Sequence, residues 1–163
     1  MIRLAHIGDL PAINKIYNQA VAHKFSTAHL TPVSQEWREQ WFAEHPPDRF
    51  PVYVFILEGR VTGWVSLSAY RAGREALAHV AEVSYYVDQE QQGRGTGTLL
   101  LEHSILVSPS FGFKVLIAIL LNKNPASIAL LNKFGFSRWG VMPGIALIDD
   151  QEADHLYYGL TLP

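Results

Sequence analysis

Cysteine is absent from this chain. Its absence excludes a disulfide framework, a thiolate metal cluster and a covalent mechanism through a thiol, and nothing points to an oxidising compartment. An excess of one charge is missing too: 13 basic and 15 acidic residues leave a formal net charge of −2, with no long basic run to follow a nucleic-acid backbone. Although 48% of the residues are apolar, no apolar run approaches the length that spans a bilayer. Met1-Ile2-Arg3-Leu4-Ala5-His6 has no signal-peptide core, and Asp9 and Pro11 interrupt the next few residues. The seven histidines include no helix-spaced pair around a glutamate, so no metal is expected. What remains is 163 residues, enough to bury a core unaided, expected to form one domain over 1–163 in the cytoplasm, with neither nucleic acid nor membrane as partner.

Against these absences stands one dense stretch, Ala81 to Val107 (AEVSYYVDQEQQGRGTGTLLLEHSILV). It passes from an apolar, aromatic strand pattern through a polar bend and a glycine-rich loop into an apolar run of helical length. Glycines at 93, 95 and 97 let successive backbone N–H groups converge, and a helix start adds partial positive charge, so the loop suits a phosphate-bearing ligand. Two familiar loops fail on spacing. A Walker loop needs Gly-Lys before Ser or Thr, and a dinucleotide fingerprint from Gly93 and Gly95 needs glycine at 98, where Thr98 stands.

The pattern that fits is Gln92-Gly93-Arg94-Gly95-Thr96-Gly97, with Glu82-Val83-Ser84-Tyr85-Tyr86-Val87-Asp88 ahead of it and Asn124-Pro125-Ala126-Ser127 and Lys133-Phe134-Gly135-Phe136 behind. In this order the motifs resemble the GNAT superfamily of acyl-coenzyme A N-acyltransferases over nearly the whole chain. Ile16-Tyr17-Asn18 is similar to the first-helix motif of its phosphinothricin and methionine sulfone acetyltransferase branch. The resemblance implies an α/β (α+β) fold with a mixed, mostly antiparallel twisted sheet, helices on both faces and a splayed central strand pair. It implies acetyl-CoA as cosubstrate, its pyrophosphate on Gly93, Arg94, Gly95, Thr96, Gly97 and Thr98, its pantetheine along the backbone of Tyr85, Tyr86 and Val87, with Asn124 and Ser127 adding contacts. It further implies a homodimer and a small-molecule amine acceptor.

Strand alternation over Val80 to Val87 puts Val80, Glu82, Ser84 and Tyr86 on one face and Ala81, Val83, Tyr85 and Val87 on the other. A carboxylate inside this apolar pattern is the candidate general base, since an alkylammonium must lose a proton before it attacks a carbonyl. The plainer reading of Glu82 is an exposed or salt-bridged strand position. The resemblance places the branch's proposed base at Glu82, leaving His79 and His103 outside the motif. Arginine suits an acidic substrate group through its planar fork, and the resemblance gives that task to Arg71 or Arg74 before the central strand; a solvated loop charge is the alternative for each. Tyr17 reads first as a core aromatic, and through the resemblance as an acceptor-site residue. Many superfamily members carry an acid tyrosine where Leu131 stands here, which leaves Tyr157 and Tyr158 as candidates or an unassisted thiolate. The leading function is N-acetylation of a small amino-acid-like amine; the rivals are acetylation of a protein or peptide N-terminus and a non-catalytic acetyl-CoA-binding module.

The remaining expectations are local. Asp9 caps a first helix with Pro11 in its first turn, and Ser34 caps a second with Trp37 and Trp41 on one face, over the sheet or the substrate mouth. Val52–Leu57 and Val61–Ser68 form a hairpin through Glu58-Gly59-Arg60. A helix runs to about Val107, a strand spans Phe113–Leu121, and Asn124 caps a helix that Gly135 ends. A strand from Phe136 to Trp139 is interrupted at Met142-Pro143-Gly144, and the last strand covers Ala153–Leu160.

Overall fold

The computed structural model describes residues 1–163. In chain order the elements are β1 (Ile2–Leu4), α1 (Leu10–Ala22), α2 (Gln35–Ala43), β2 (Val52–Leu57), β3 (Arg60–Ala69), β4 (Val80–Val87), α3 (Thr96–Val107), β5 (Val115–Leu121), α4 (Pro125–Lys133), β6 (Ser137–Ile148) and β7 (Gln151–Thr161). The strands form one seven-stranded sheet in the order β1-β2-β3-β4-β5-β7-β6, antiparallel throughout except between β4 and β5. The mostly antiparallel, mixed α/β sheet implied by the resemblance is therefore present.

The two hairpins owe their tightness to left-handed residues. Glu58 and Gly59 sit at φ of 50° and 75°, and Asp149 and Asp150 at 47° and 61°. Two successive positive φ values make a turn whose twist matches that of the strands it joins, and Asp, like Gly, enters this region at low cost. The second turn brings the start of β7 forward to Gln151, ahead of the expected Ala153.

Three local expectations need correction. Asp9 holds the N-cap position of α1, but its side chain makes no capping bond: its carboxylate accepts from the His6 N–H at 2.9 Å and takes the Arg3 guanidinium at 2.7 and 2.8 Å, closing a 3₁₀ turn just before the helix. Met142-Pro143-Gly144 does not break the strand that holds it. β6 is an edge strand, so Pro143 deprives no ladder of an N–H, and the register shift between Met142 and Ala146 absorbs the extra residues while the Gly144 N–H bonds Asp154 Oδ1 at 2.9 Å. The strand expected from Phe113 begins at Val115, since Phe113 still bonds back to Ser108 in the turn after α3.

Each face of the sheet carries its own core. Val65, Leu67, Ala81 and Val83 pack with Leu100, Leu101, Leu116, Leu131 and Phe136 beneath α3 and α4. On the other face Val52, Val54 and Trp64 pack with Leu10, Ile13, Ile16, Tyr17 and Val21 of α1. β3 and β4 pair along their length with Trp64 beside Tyr86, Ser66 beside Ser84 and Ser68 beside Glu82, so the polar members of this ladder all lie on the α1 and α2 side. On that side Ser34 Oγ caps α2 through the Trp37 N–H at 3.1 Å, and Asn14 and Asn18 clamp both backbone groups of Val33 at 2.9 to 3.1 Å. Those bonds hold α2 against α1, over the polar ladder.

The feature that makes a site is the parting of β4 from β5. Their parallel pairing covers only Val80 with Val115, Ala81 with Leu116 and Glu82 with Ile117. Beyond Glu82 the strands diverge, β4 staying with β3 as far as Val87 and β5 staying with β7 as far as Leu121. The inner edge of residues 83–87 is thus left without a neighbouring strand, and its backbone groups need another partner.

Candidate active site

Two cavities adjoin in this gap. The first, of about 520 Å³, is lined by Val83–Val87 of β4, Ala118–Leu120 of β5, the glycine loop and the start of α4. Gly93 and Gly95 hold φ of 73° and 88°, which other residues adopt only with strain, and Gly95 in this conformation begins α3. The first N–H groups of any helix lack an intrahelical acceptor, so the start of α3 offers free donors and the positive end of a dipole where Thr96, Gly97 and Thr98 line the cavity. Gly63 allows the helix to lie this close: a Cβ there would meet Leu100 Cδ1 and Thr96 Cγ2, each at 2.9 Å.

Across the cavity Asn124 Oδ1 caps α4 through the Ser127 N–H at 3.3 Å, and both residues line the wall. Tyr85 points its hydroxyl into the buried interior without a hydrogen-bond partner. Burial pushes its pKa up to about 12, the Ser127 hydroxyl easing the shift from nearby without bonding geometry, so Tyr85 stays a protonated donor. Leu131 lies buried under the same wall, and Tyr157 and Tyr158 line neither cavity.

The second cavity, of about 390 Å³, opens on the α1 and α2 side of the sheet. It shares Ser26, Ser84, Tyr86, Ile119 and Leu120 with the first, so the two meet where β4 and β5 part. Glu82 lines it and is the one carboxylate on either cavity wall. Burial alone raises its pKa; no neighbouring charge or hydrogen bond contributes. Tyr17 is both of the things expected of it, 7% exposed in the α1 core and part of this wall, where its hydroxyl bonds Thr27 at 2.8 Å and also His29.

The fold thus gathers Glu82, Tyr17, Tyr85, Tyr86, Val87, Gly93, Gly95, Thr96, Gly97, Thr98, Asn124 and Ser127 around the gap. Arg94 is exposed and lies off the cavity wall. Arg71 and Arg74 are exposed in the loop between β3 and β4 and line neither cavity. The arginine that does line the acceptor-side cavity is Arg38, 1% exposed, with Trp37, Trp41 and Trp64 around it. Sequence reasoning missed it, although tryptophans one residue before and three after it were a usable signal of an enclosed guanidinium.

Residues 13–136 match the model of the acetyltransferase (GNAT) family. The chain belongs to that family. A Bacillus subtilis protein provisionally named a phosphinothricin acetyltransferase is 39% identical over 99% of this chain and 98% of its own length. A Pseudomonas aeruginosa L-methionine sulfoximine/L-methionine sulfone acetyltransferase is 34% identical over 88% of this chain and 84% of its own. Among solved structures, a phosphinothricin acetyltransferase from Sinorhizobium meliloti in complex with acetyl-CoA superposes with a TM-score of 0.94 at 29% identity, covering 99% of this chain and 88% of that one. A ribosomal-protein-alanine N-acetyltransferase from Brucella melitensis superposes at 0.93 with 35% identity, covering 99% of both chains. This GNAT protein is an acetyl-CoA-dependent N-acetyltransferase, an enzyme rather than a passive binding module. The parting of β4 and β5 supplies what such a cosubstrate asks for: unpaired strand amides along a narrow gap, with a glycine-lined helix start at its end.

Proposed function

We propose that this GNAT enzyme acetylates the primary amine of a small amino-acid-like acceptor, of the phosphinothricin or methionine sulfone type, with Glu82 as general base. The observation that carries the reading is the position of Glu82: the one carboxylate on either wall, two residues from the Ser84–Tyr86 boundary where the cavities meet. In this reading the backbone N–H groups of residues 93–98 grip the pyrophosphate, and the free edge of Tyr85, Tyr86 and Val87 holds the pantetheine and polarises the thioester carbonyl. The acceptor ammonium enters from the α1 and α2 side and gives a proton to Glu82, directly or through water. Glu82 passes that proton to solvent, the neutral nitrogen attacks the carbonyl carbon, and the tetrahedral intermediate gives one of its two remaining N–H protons to Glu82 before it collapses with cleavage of the C–S bond; the thiolate takes its proton from solvent. Leu131 offers no proton, and a thiol with a pKa near about 8.5 leaves without one.

The size of the acceptor-side cavity, about 390 Å³ with Tyr17, Trp41 and Trp64 on its walls, supports a small acceptor. The likeness to the Brucella protein favours a second reading, in which the amine is a peptide N-terminus. Release of free coenzyme A, followed over a panel of small amino acids, phosphinate and sulfone analogues and N-terminal peptides, separates the two. Turnover of the small amines is the expected outcome, and turnover confined to peptides would overturn it. A homodimer belongs to the same proposal through the family likeness, and light scattering checks it.

A further inference from the structure

Two residues on the wall of the acceptor-side cavity each carry a buried donor with nothing to donate to. Arg38 gives its Nε–H to Asn14 Oδ1 at 3.3 Å, but its Nη2 has no partner. The indole Nε1–H of Trp64, a residue 2% exposed, has none either. Both groups only donate, so water or an acceptor atom must come to them. No carboxylate answers Arg38: the ion pairs of the chain join Arg3 to Asp9, His6 to Asp9 and Lys24 to Asp149. Burial lowers the guanidinium pKa to about 10, which still leaves it charged near neutrality.

A buried cation with a free N–H is costly to maintain. The fold compensates with aromatic faces: the guanidinium carbon lies 4.6 Å from the Tyr17 ring centroid, 5.1 Å from Trp37, 4.5 Å from Trp41 and 5.4 Å from Trp64. Ring faces steady the charge without taking the place of a hydrogen-bond acceptor at Nη2. The same cavity holds Glu82, and no ion pair joins it to Arg38.

We propose that Arg38 Nη2 and Trp64 Nε1 form an oxyanion subsite that binds the carboxylate of the acceptor, so that the cavity takes a zwitterion, ammonium toward Glu82 and carboxylate toward Arg38. This deepens the small-acceptor reading above and rests on it. It gives Arg38 the task expected of the exposed Arg71 or Arg74.

The test uses paired acceptors: an α-amino acid that the enzyme acetylates, and its carboxamide, which keeps the amine and loses the anion. In Arg38→Gln the KM for the acid should rise about 10- to 100-fold, the range for losing a charged hydrogen bond, while the KM for the carboxamide and for acetyl-CoA stays within about threefold. Arg38→Lys keeps the charge in its aromatic box without the planar fork and should fall between. Should Arg38→Gln not fold, the wild type decides: the acid lacking its amine should inhibit competitively against the acceptor, and its amide should not. Equal kcat/KM for acid and carboxamide, no inhibition by the amine-free acid, or equal losses on both acceptors in Arg38→Gln would overturn the subsite while leaving the small-acceptor reading intact. Turnover of peptides alone would remove that reading, and the subsite with it.

Discussion

Replacing Glu82 by Gln is the sharpest perturbation available, because it keeps the shape of the side chain and removes one charge. Glu82 is the one carboxylate on the wall of either cavity, so no other carboxylate can take over the proton. A positioned general base contributes about 10²- to 10⁴-fold, which corresponds to about 3 to 5 kcal/mol of transition-state stabilisation. The expected result is a fall of that size in kcat for coenzyme A release, with acetyl-CoA affinity unchanged. The wild-type rate should also fall in acid at a pH above the ordinary carboxylate range, since burial raises the Glu82 pKa, and this limb should be absent from the residual activity of Glu82→Gln. Stability moves the other way. A carboxyl whose folded pKa is raised favours folding in its protonated form and loses that contribution as pH rises through its titration range. The Gln variant should therefore melt above the wild type at neutral pH and alongside it in acid. Turnover within about threefold of wild type, or an unchanged acid limb, would refute the assignment, and a lower melting temperature at neutral pH would show that the buried charge was no burden to the fold.

Other perturbations probe the frame around the gap. Gly63→Ala should push α3 from the sheet, since the new methyl would meet Leu100 and Thr96 side chains at 2.9 Å; a loss of about 1–3 kcal/mol in denaturant unfolding and weaker acetyl-CoA binding by calorimetry are expected. Asn124→Ala removes the α4 cap and should cost about 1 kcal/mol, while a loss of acetyl-CoA affinity larger than that would reveal a direct contact besides the cap. Asp9→Asn should destabilise at neutral pH and cease to matter in acid: burial pushes the Asp9 carboxyl up, but its bonds to Arg3 and the His6 N–H outweigh this and hold its pKa below the usual value, so its contribution is present above the unfolded pKa and disappears as pH falls through the folded one.

Where a feature is encoded locally, the sequence was enough. The alternation of Val80 to Val87 anticipated which side chains of β4 share a face, and β4 occupies that range without shift. The glycines of 93–97 anticipated the left-handed bend before α3, and Asn124-Pro125 the start of α4. Each depends on residues within a turn or two. Arg38 escaped because its fate is decided partly elsewhere: Trp37 and Trp41 flank it in sequence, but Tyr17 and Trp64, from α1 and β3, complete the enclosure. Asp9 stands at the start of α1 as a carboxylate before Pro11 suggests, but Arg3, in a neighbouring strand, competes for its side chain and leaves the cap unmade. Pro143-Gly144 looks like a strand break until β6 is known to lie at the sheet edge, a property of topology and not of spacing.

Base, subsite and glycine loop all depend on where the thioester comes to rest. A crystal structure of the protein with acetyl-CoA, or with a non-hydrolysable analogue, measures it directly. The diphosphate should lie on the amides of residues 93–98, the pantetheine between β4 and β5, and the acetyl group at the Ser84–Tyr86 boundary facing Glu82. Cosubstrate density outside the gap, or an acetyl group walled off from the cavity that holds Glu82 and Arg38, would contradict it.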